Sequence, residues 1–227
     1  MLSLINLFNG NRHEALTNAS DGIRSAVTPL ERRMSATVRA SAQILLGHVH
    51  EGLIDLLEAT GAASETGYGQ MVSFGTNFVG IGYVLAGRIS EGIQLLESSI
   101  TTYDTRGEDL IATYTKNSLA EIYLEMLTSR AGPPLSVILK NVVMILRVKF
   151  LGMRRIEVLL DQAARNPHLD ERGVIRARIN MNMGLLHKLK KEPNLARQYL
   201  EKARAPAEHH GATFFLSKID AALSELH

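Results

Sequence analysis

The feature that most constrains this chain is that it resembles itself at an offset of 40 residues. Leu85-Ala86-Gly87-Arg88-Ile89-Ser90-Glu91-Gly92-Ile93-Gln94-Leu95-Leu96 has an altered counterpart in Leu45-Leu46-Gly47-His48-Val49-His50-Glu51-Gly52-Leu53-Ile54-Asp55-Leu56. Gly47 and Gly87, Glu51 and Glu91, Gly52 and Gly92, and Leu56 and Leu96 coincide, and a fainter copy lies at Gly10, Glu14 and Ala15. Self-similarity at such a period means repeated supersecondary units, each unable to bury its apolar face alone and therefore stacked on its neighbours.

Each copy reads as helix A, a glycine turn, then helix B. In the clearest copy, helix A covers about residues 72–86, with Phe74, Phe78, Ile81, Val84 and Leu85 at helical spacing. Gly87 supplies the left-handed residue that ends it, and Ser90 is the expected N-cap of helix B. Helix B carries Ile93, Leu96 and Ile100 on one stripe and closes near Gly107. Gly67, Gly107 and Gly211 each follow a small helix B residue (Gly52, Gly92, Ala196) by 15 positions, which sets a common helix length. The small residue lets helix B approach helix A closely at their crossing.

Further helices are expected over about residues 12–27, ended by Pro29, and over 31–46, 50–65, 108–127 and 171–190. Pro193 sits just past the end of the last, and Asn194 is the expected cap of another helix B. The period breaks at Ser129-Arg130-Ala131-Gly132-Pro133-Pro134. The next helix B signature, Leu160-Asp161-Gln162-Ala163, arrives late and returns 40 residues on as Leu200-Glu201-Lys202-Ala203. Residues 130–151 are therefore read as an insertion, an extra helix leading into the fourth helix B. Residues 212–227 read as a capping helix, with Phe215, Ile219, Ala222, Leu223 and Leu226 on one stripe. The expected architecture is all-α: one right-handed α-α superhelix over residues 1–227, of about five helical pairs. Residues 1–29 would be a truncated first repeat, because Leu2, Leu4, Ile5, Leu7 and Phe8 look like the end of a helix begun upstream in a longer protein.

These repeats resemble tetratricopeptide repeats, which want a small residue and an aromatic three apart in helix A, then Gly, then a small residue early in helix B. Gly80/Tyr83/Gly87/Gly92, Ala120/Tyr123, Gly184 and Ala196/Ala203 carry the resemblance; the period of 40 and the absence of Trp depart from it. Ser118-Leu119-Ala120-Glu121-Ile122-Tyr123-Leu124, followed by Gly132-Pro133-Pro134-Leu135 and an apolar helix bearing Arg and Lys, is similar to a narrower group. That group is the repeat region of bacterial signalling proteins that join a class III adenylate or guanylate cyclase domain to such arrays. The resemblance implies a cytoplasmic regulatory scaffold. It implies no cyclase activity here, since the chain carries no cyclase metal carboxylates or nucleotide site.

The residues themselves argue against catalysis. There is no Cys, hence no thiolate nucleophile or zinc site. No phosphate loop or nucleophile elbow occurs, and Gly80-Ile81-Gly82 falls inside a helix, where close packing explains it. His48-Val49-His50 and His209-His210 offer too few ligands on one side to hold a metal. A net charge of +2 does not call for nucleic acid. No cofactor is expected.

Two sets of residues are candidates for binding. Asn77 and Asn117 lie one repeat apart on helix A, with Tyr114, Glu121 and Arg178 expected on the same concave face. Asn amides there could pair with the backbone of an extended peptide; the plainer reading is exposed polar positions. The expected partner is accordingly a protein or peptide in the groove, or another domain of the parent protein, with a small-ligand sensor as the alternative. The second set is Lys140, Arg147, Lys149, Arg154 and Arg155, interleaved with apolar residues and free of acids. Their helix is expected to pack its apolar residues on the repeats while the cations extend to water, with contact to an anionic membrane or acidic partner as the alternative. A homodimer through the uncapped N-terminal end is a further option.

Overall fold

The computed structural model describes residues 2–129 and 134–226. Among them are eleven helices and no strand, so the chain is all-α. The helices are α1 (Leu2–Phe8), α2 (Arg12–Ser25), α3 (Pro29–Leu45), α4 (Val49–Glu65), α5 (Gly69–Leu85), α6 (Ile89–Arg106), α7 (Asp109–Thr128), α8 (Leu135–Ala164), α9 (Val174–Leu189), α10 (Pro193–His209) and α11 (Thr213–Ser224). They divide into two compact units, Met1–Thr101 and Thr102–His227, with the boundary inside α6.

In the first unit each helix from α1 to α5 packs on the next, and α3 also touches α1 and α5. In the second, α7 to α11 pack in chain order, and α9 also touches α7 and α11. Contact with the next helix and the next but one is how repeated helical pairs stack. The first core is filled by Ile44, Leu56, Phe78, Ile93 and Leu96, the second by Leu119, Ile156, Leu160, Ile179, Met181 and Leu200, all fully buried. Each such side chain contributes roughly 1.5–3 kcal/mol of burial free energy, set against the chain entropy of ordering it.

The turns follow from one backbone requirement. Gly10, Gly47, Gly67, Gly87, Gly107 and Gly211 all have positive φ, and among the described residues the one non-glycine to share it is Lys191, at 61°. At Gly87 (φ 79°) the Arg88 N–H donates to the Tyr83 carbonyl at 2.8 Å, and the Gly87 N–H to Val84 at 3.0 Å. This pair of bonds satisfies helix-end carbonyls only if the residue between helices is left-handed. The same six-residue bond closes α3 (His48 to Gln43), α4 (Tyr68 to Ala63) and α9 (Glu192 to His187). Positions 47, 67, 87 and 107 are evenly spaced, as are 191 and 211, so the period of 40 is two equal helix-and-turn units.

Helix pairs also cross at one recurring point. A Cβ placed on Gly92 in α6 would lie 2.5 Å from the Gly80 carbonyl oxygen in α5, and one on Gly52 in α4 would lie 2.9 Å from that of Ala40 in α3. In the second unit a Cβ on Gly184 of α9 would lie 3.1 Å from the Ala196 carbonyl and 2.6 Å from Leu200 Cγ in α10. At Gly52, Gly92 and Gly184 the approach leaves no room even for a Cβ. A Cβ on Gly82, the other half of the Gly80-Ile81-Gly82 pair, would lie 2.6 Å from Leu53 Cδ2, so both of these glycines serve packing.

Several local expectations are corrected. Helix α6 begins at Ile89, which places Ser90 inside the helix instead of at its N-cap, and α10 begins with Pro193, ahead of Asn194. Pro29 is the first residue of α3, behind a capping box in which the Glu31 N–H donates to Thr28 Oγ1 and the Thr28 N–H donates back to Glu31. The insertion is not a separate helix. Its start, residues 130–133, lies outside the described residues, but from Leu135 it continues, across one kink, into the fourth helix B as the 30-residue α8. Asn141 kinks α8 (φ −124°, ψ 17°), where its side-chain Nδ2 donates to the Val137 carbonyl at 2.8 Å in place of regular helical geometry.

Candidate functional site

The inner helices α5, α7 and α9 are enclosed on nearly every side. Arg176 through Gly184 of α9 is a run of nine consecutive buried residues, and α7 is similar from Ala112 to Thr115 and from Asn117 to Ala120. The polar residues expected to line an open groove therefore sit inside the protein. In the first unit Asn77 is 1% exposed, and neither end of its amide has a partner among the described residues.

In the second unit the other four residues lie in one polar seam across α7, α9 and α11. The Arg178 guanidinium donates to Glu121 Oε2 at 2.8 Å and stands 5.0 Å from the Tyr114 ring centre and 5.1 Å from that of Phe215. Lys218 of α11 reaches Glu121 Oε1 and Glu125 Oε1, each at 3.2 Å, beneath the Phe214 ring. Asn182 Nδ2 donates to Asn117 Oδ1 at 3.0 Å. Burial alone would push the Glu121 carboxyl up; the positive charges of Arg178 and then Lys218, with their hydrogen bonds, outweigh it and hold the group at about 2. For Arg178, burial opposes the cation, while Tyr114 and Glu121 raise its affinity for a proton above the ordinary value. This is a brace that locks three helices together. Both Glu121 oxygens accept from cations of the seam, Oε2 from Arg178 and Oε1 from Lys218, and Asn117 Oδ1 accepts from Asn182.

The repeat register accounts for part of this seam. Tyr114 and Arg178 hold equivalent positions on successive helices A, so stacking brings one over the other. Asn182, however, is in register with Phe78 and not with Asn77, and Lys218 lies on the capping helix. No offset in the sequence points to either.

The five cations of α8 between Leu135 and Ile156 have the opposite fate. Lys140, Arg147, Lys149, Arg154 and Arg155 are exposed, and so is most of the apolar surface between them. Val143 is 78% exposed, Phe150 77% and Leu139 69%, with Leu135, Val142, Leu146, Leu151 and Met153 also open. From Leu135 to Ile156 the buried positions are Asn141, Met144, Val148, Gly152 and Ile156, joined farther along α8 by Leu159, Leu160 and Ala163. The expectation that the apolar residues pack on the repeats is thus overturned. An α-helix docked on one side can bury only one arc of its surface, and α8 carries apolar residues on two. Nine of the nineteen exposed large apolar side chains among the described residues belong to α8. Scattered exposed apolar residues are normal, but a contiguous ridge marks a contact surface.

The histidine pairs stand apart from both features. His48 is the N-cap residue of α4, 3.7 Å from Glu51, and His210 Nε2 lies 2.9 Å from the Arg172 carbonyl. No group of three His, Asp or Glu side chains among the described residues is arranged to hold a metal ion. Comparisons with protein-family models, curated proteins and solved structures give no match to this chain.

Proposed function

We propose that the chain is a non-catalytic, tetratricopeptide-like interaction module that works by presenting the ridge of α8 to a partner. One observation carries this reading: the largest concentration of exposed apolar side chains lies on the one segment that also holds five cations and no acid. Stacked pairs behind it, closed by α11 and tied by the Glu121–Arg178–Lys218 brace, supply a rigid mount. Rigidity matters because an ordered surface forfeits less entropy on association. The glycine register and Gly80/Tyr83/Gly87/Gly92 favour a right-handed repeat array. The likeness of residues 118–135 to cyclase-linked repeats favours a cytoplasmic signalling assembly in which docking positions a catalytic domain.

The test exploits the absence of Cys. Val143→Cys gives the chain a single thiol on the ridge, and Lys202→Cys gives one at an exposed site on α10. A thiol-reactive label is expected to modify both quickly in the purified proteins, but to modify Val143→Cys slowly in the source cells while Lys202→Cys stays fast. Equal labelling of the two in cells would sink the reading.

A ligand-sensing role is a second reading, favoured by the amide ends left without partners beside the brace, Asn117 Nδ2 and Asn182 Oδ1. Small polar compounds that raise the melting temperature of the wild type, but not of Asn182→Leu, would support it.

A further inference from the structure

We infer that the α8 ridge binds an anionic lipid surface, with its apolar side chains in the acyl boundary and its cations at the head groups. This rests on the proposed role of α8 as the contact surface and identifies what it contacts.

At 100° per residue, the second segment of α8 resolves into three arcs. Met144, Val148, Gly152 and Ile156 form the buried one. On the far side, Val142, Val143, Leu146, Phe150 and Met153 form an apolar stripe about 100° wide. Lys149 borders one edge of that stripe, and Arg147 and Arg154 border the other. A stripe flanked on both sides by long cations suits the plane of a membrane interface, where the aliphatic stems lie along the apolar zone and the charges rise to the phosphates. Leu135 and Leu139 extend the ridge to about 27 Å at 1.5 Å per residue.

Charge decides between occupants. From Leu135 to Ile156 there is no Asp or Glu, the first acid being Glu157, which pairs with Lys190 at 2.7 Å. Two ridges from two copies would set cation-flanked stripes against each other with no Asp or Glu between Leu135 and Ile156 on either, so a second copy is disfavoured. An acidic protein partner would need a groove matched to a single protruding helix, whereas a bilayer accepts a protruding amphipathic helix directly. Among the described residues no helix is long and apolar enough to cross a membrane, so α8 would lie on the surface.

The experiment is co-sedimentation of the purified chain with phosphatidylcholine vesicles, with and without phosphatidylserine, at low and high salt. Binding is expected only with phosphatidylserine and should weaken as salt rises. Replacing three exposed cations (Lys140→Gln, Lys149→Gln, Arg154→Gln) should weaken it about a hundredfold. Val143→Ser with Phe150→Ser should weaken it about a hundredfold and leave the helical circular dichroism unchanged, since both side chains already face water. No binding to the anionic vesicles, or equal binding to neutral ones, overturns the lipid assignment. So does a dimer in sedimentation velocity that Val143→Ser/Phe150→Ser dissolves. In those cases, shielding of Val143→Cys in cells would preserve the ridge as a protein contact, and its absence would remove both readings.

Discussion

The carbonyl oxygen of Gly80 and the Cα of Gly92 are so close that a Cβ on Gly92 would stand 2.5 Å from that oxygen. The same added atom would lie 2.6 Å from Val84 Cγ2 and 2.9 Å from the Val84 nitrogen. Two of the three obstacles are backbone, which cannot swing aside.

Gly92→Leu is therefore expected to destabilise the first unit by about 1–3 kcal/mol or more, because the α5–α6 crossing must open to admit it. Gly61→Ala is the control. Gly61 lies in α4 with nothing within 4 Å of its added Cβ, and the change should stabilise by about 0.5–1 kcal/mol. Thermal melts followed by circular dichroism read both; an unaltered Gly92→Leu melt would refute the crossing.

Lys191 is the exception in a series of glycines, with φ of 61°. Lys191→Gly removes the steric penalty of a Cβ in the left-handed region and adds unfolded-chain entropy. The net expectation is a gain of about 0.5–1 kcal/mol, measured as a shift in the urea midpoint without a change of slope.

Acid should weaken the second unit through Glu121. Its carboxyl titrates at about 2 in the fold against an ordinary 4.5, so the unfolded chain takes up its proton first as pH falls. The stabilisation is complete above about pH 5 and is lost progressively on the way down to pH 2. It amounts to about 3 kcal/mol at most. Glu121→Gln should lower stability at neutral pH and flatten that acid limb. A variant whose acid limb matches the wild type would disprove the assignment.

Arg178→Met tests the same brace from the other side. Removing the guanidinium leaves the Glu121 carboxylate largely buried with Lys218 as its remaining cation, and a cost of about 3–5 kcal/mol is expected in chemical denaturation. Lys218→Met, which removes the more exposed cation, should cost less.

The helix-and-turn register was legible in the sequence because its causes are local. A left-handed residue between two helices calls for Gly, and a crossing without room for a side chain calls for a small residue, so Gly87 and Gly92 announce their roles wherever they recur. Errors at this level were equally local. Ser90 has the chemistry of an N-cap but sits two positions past it, inside the first turn of α6, and Asn194 is displaced by Pro193, whose fixed φ suits the first helical position. The fate of the polar residues was not legible. Tyr114, Glu121 and Arg178 were expected together, and they meet, but a single sequence does not reveal that α11 would cover them.

What the sequence by itself determined is an all-α chain with turns at 47, 67, 87, 107 and 211, since those depend on the φ, volume and spacing of neighbouring residues. Only the tertiary structure decided which side chains the protein withholds from solvent and which it offers. Asn77, Asn117 and Arg178 are withheld because inner helices have neighbours on nearly every side. Val143 and Phe150 are offered because α8, apolar on two arcs, is docked along only one. Helical periodicity records that an arc is apolar; whether something packs against it is settled by the helices that fold up beside it.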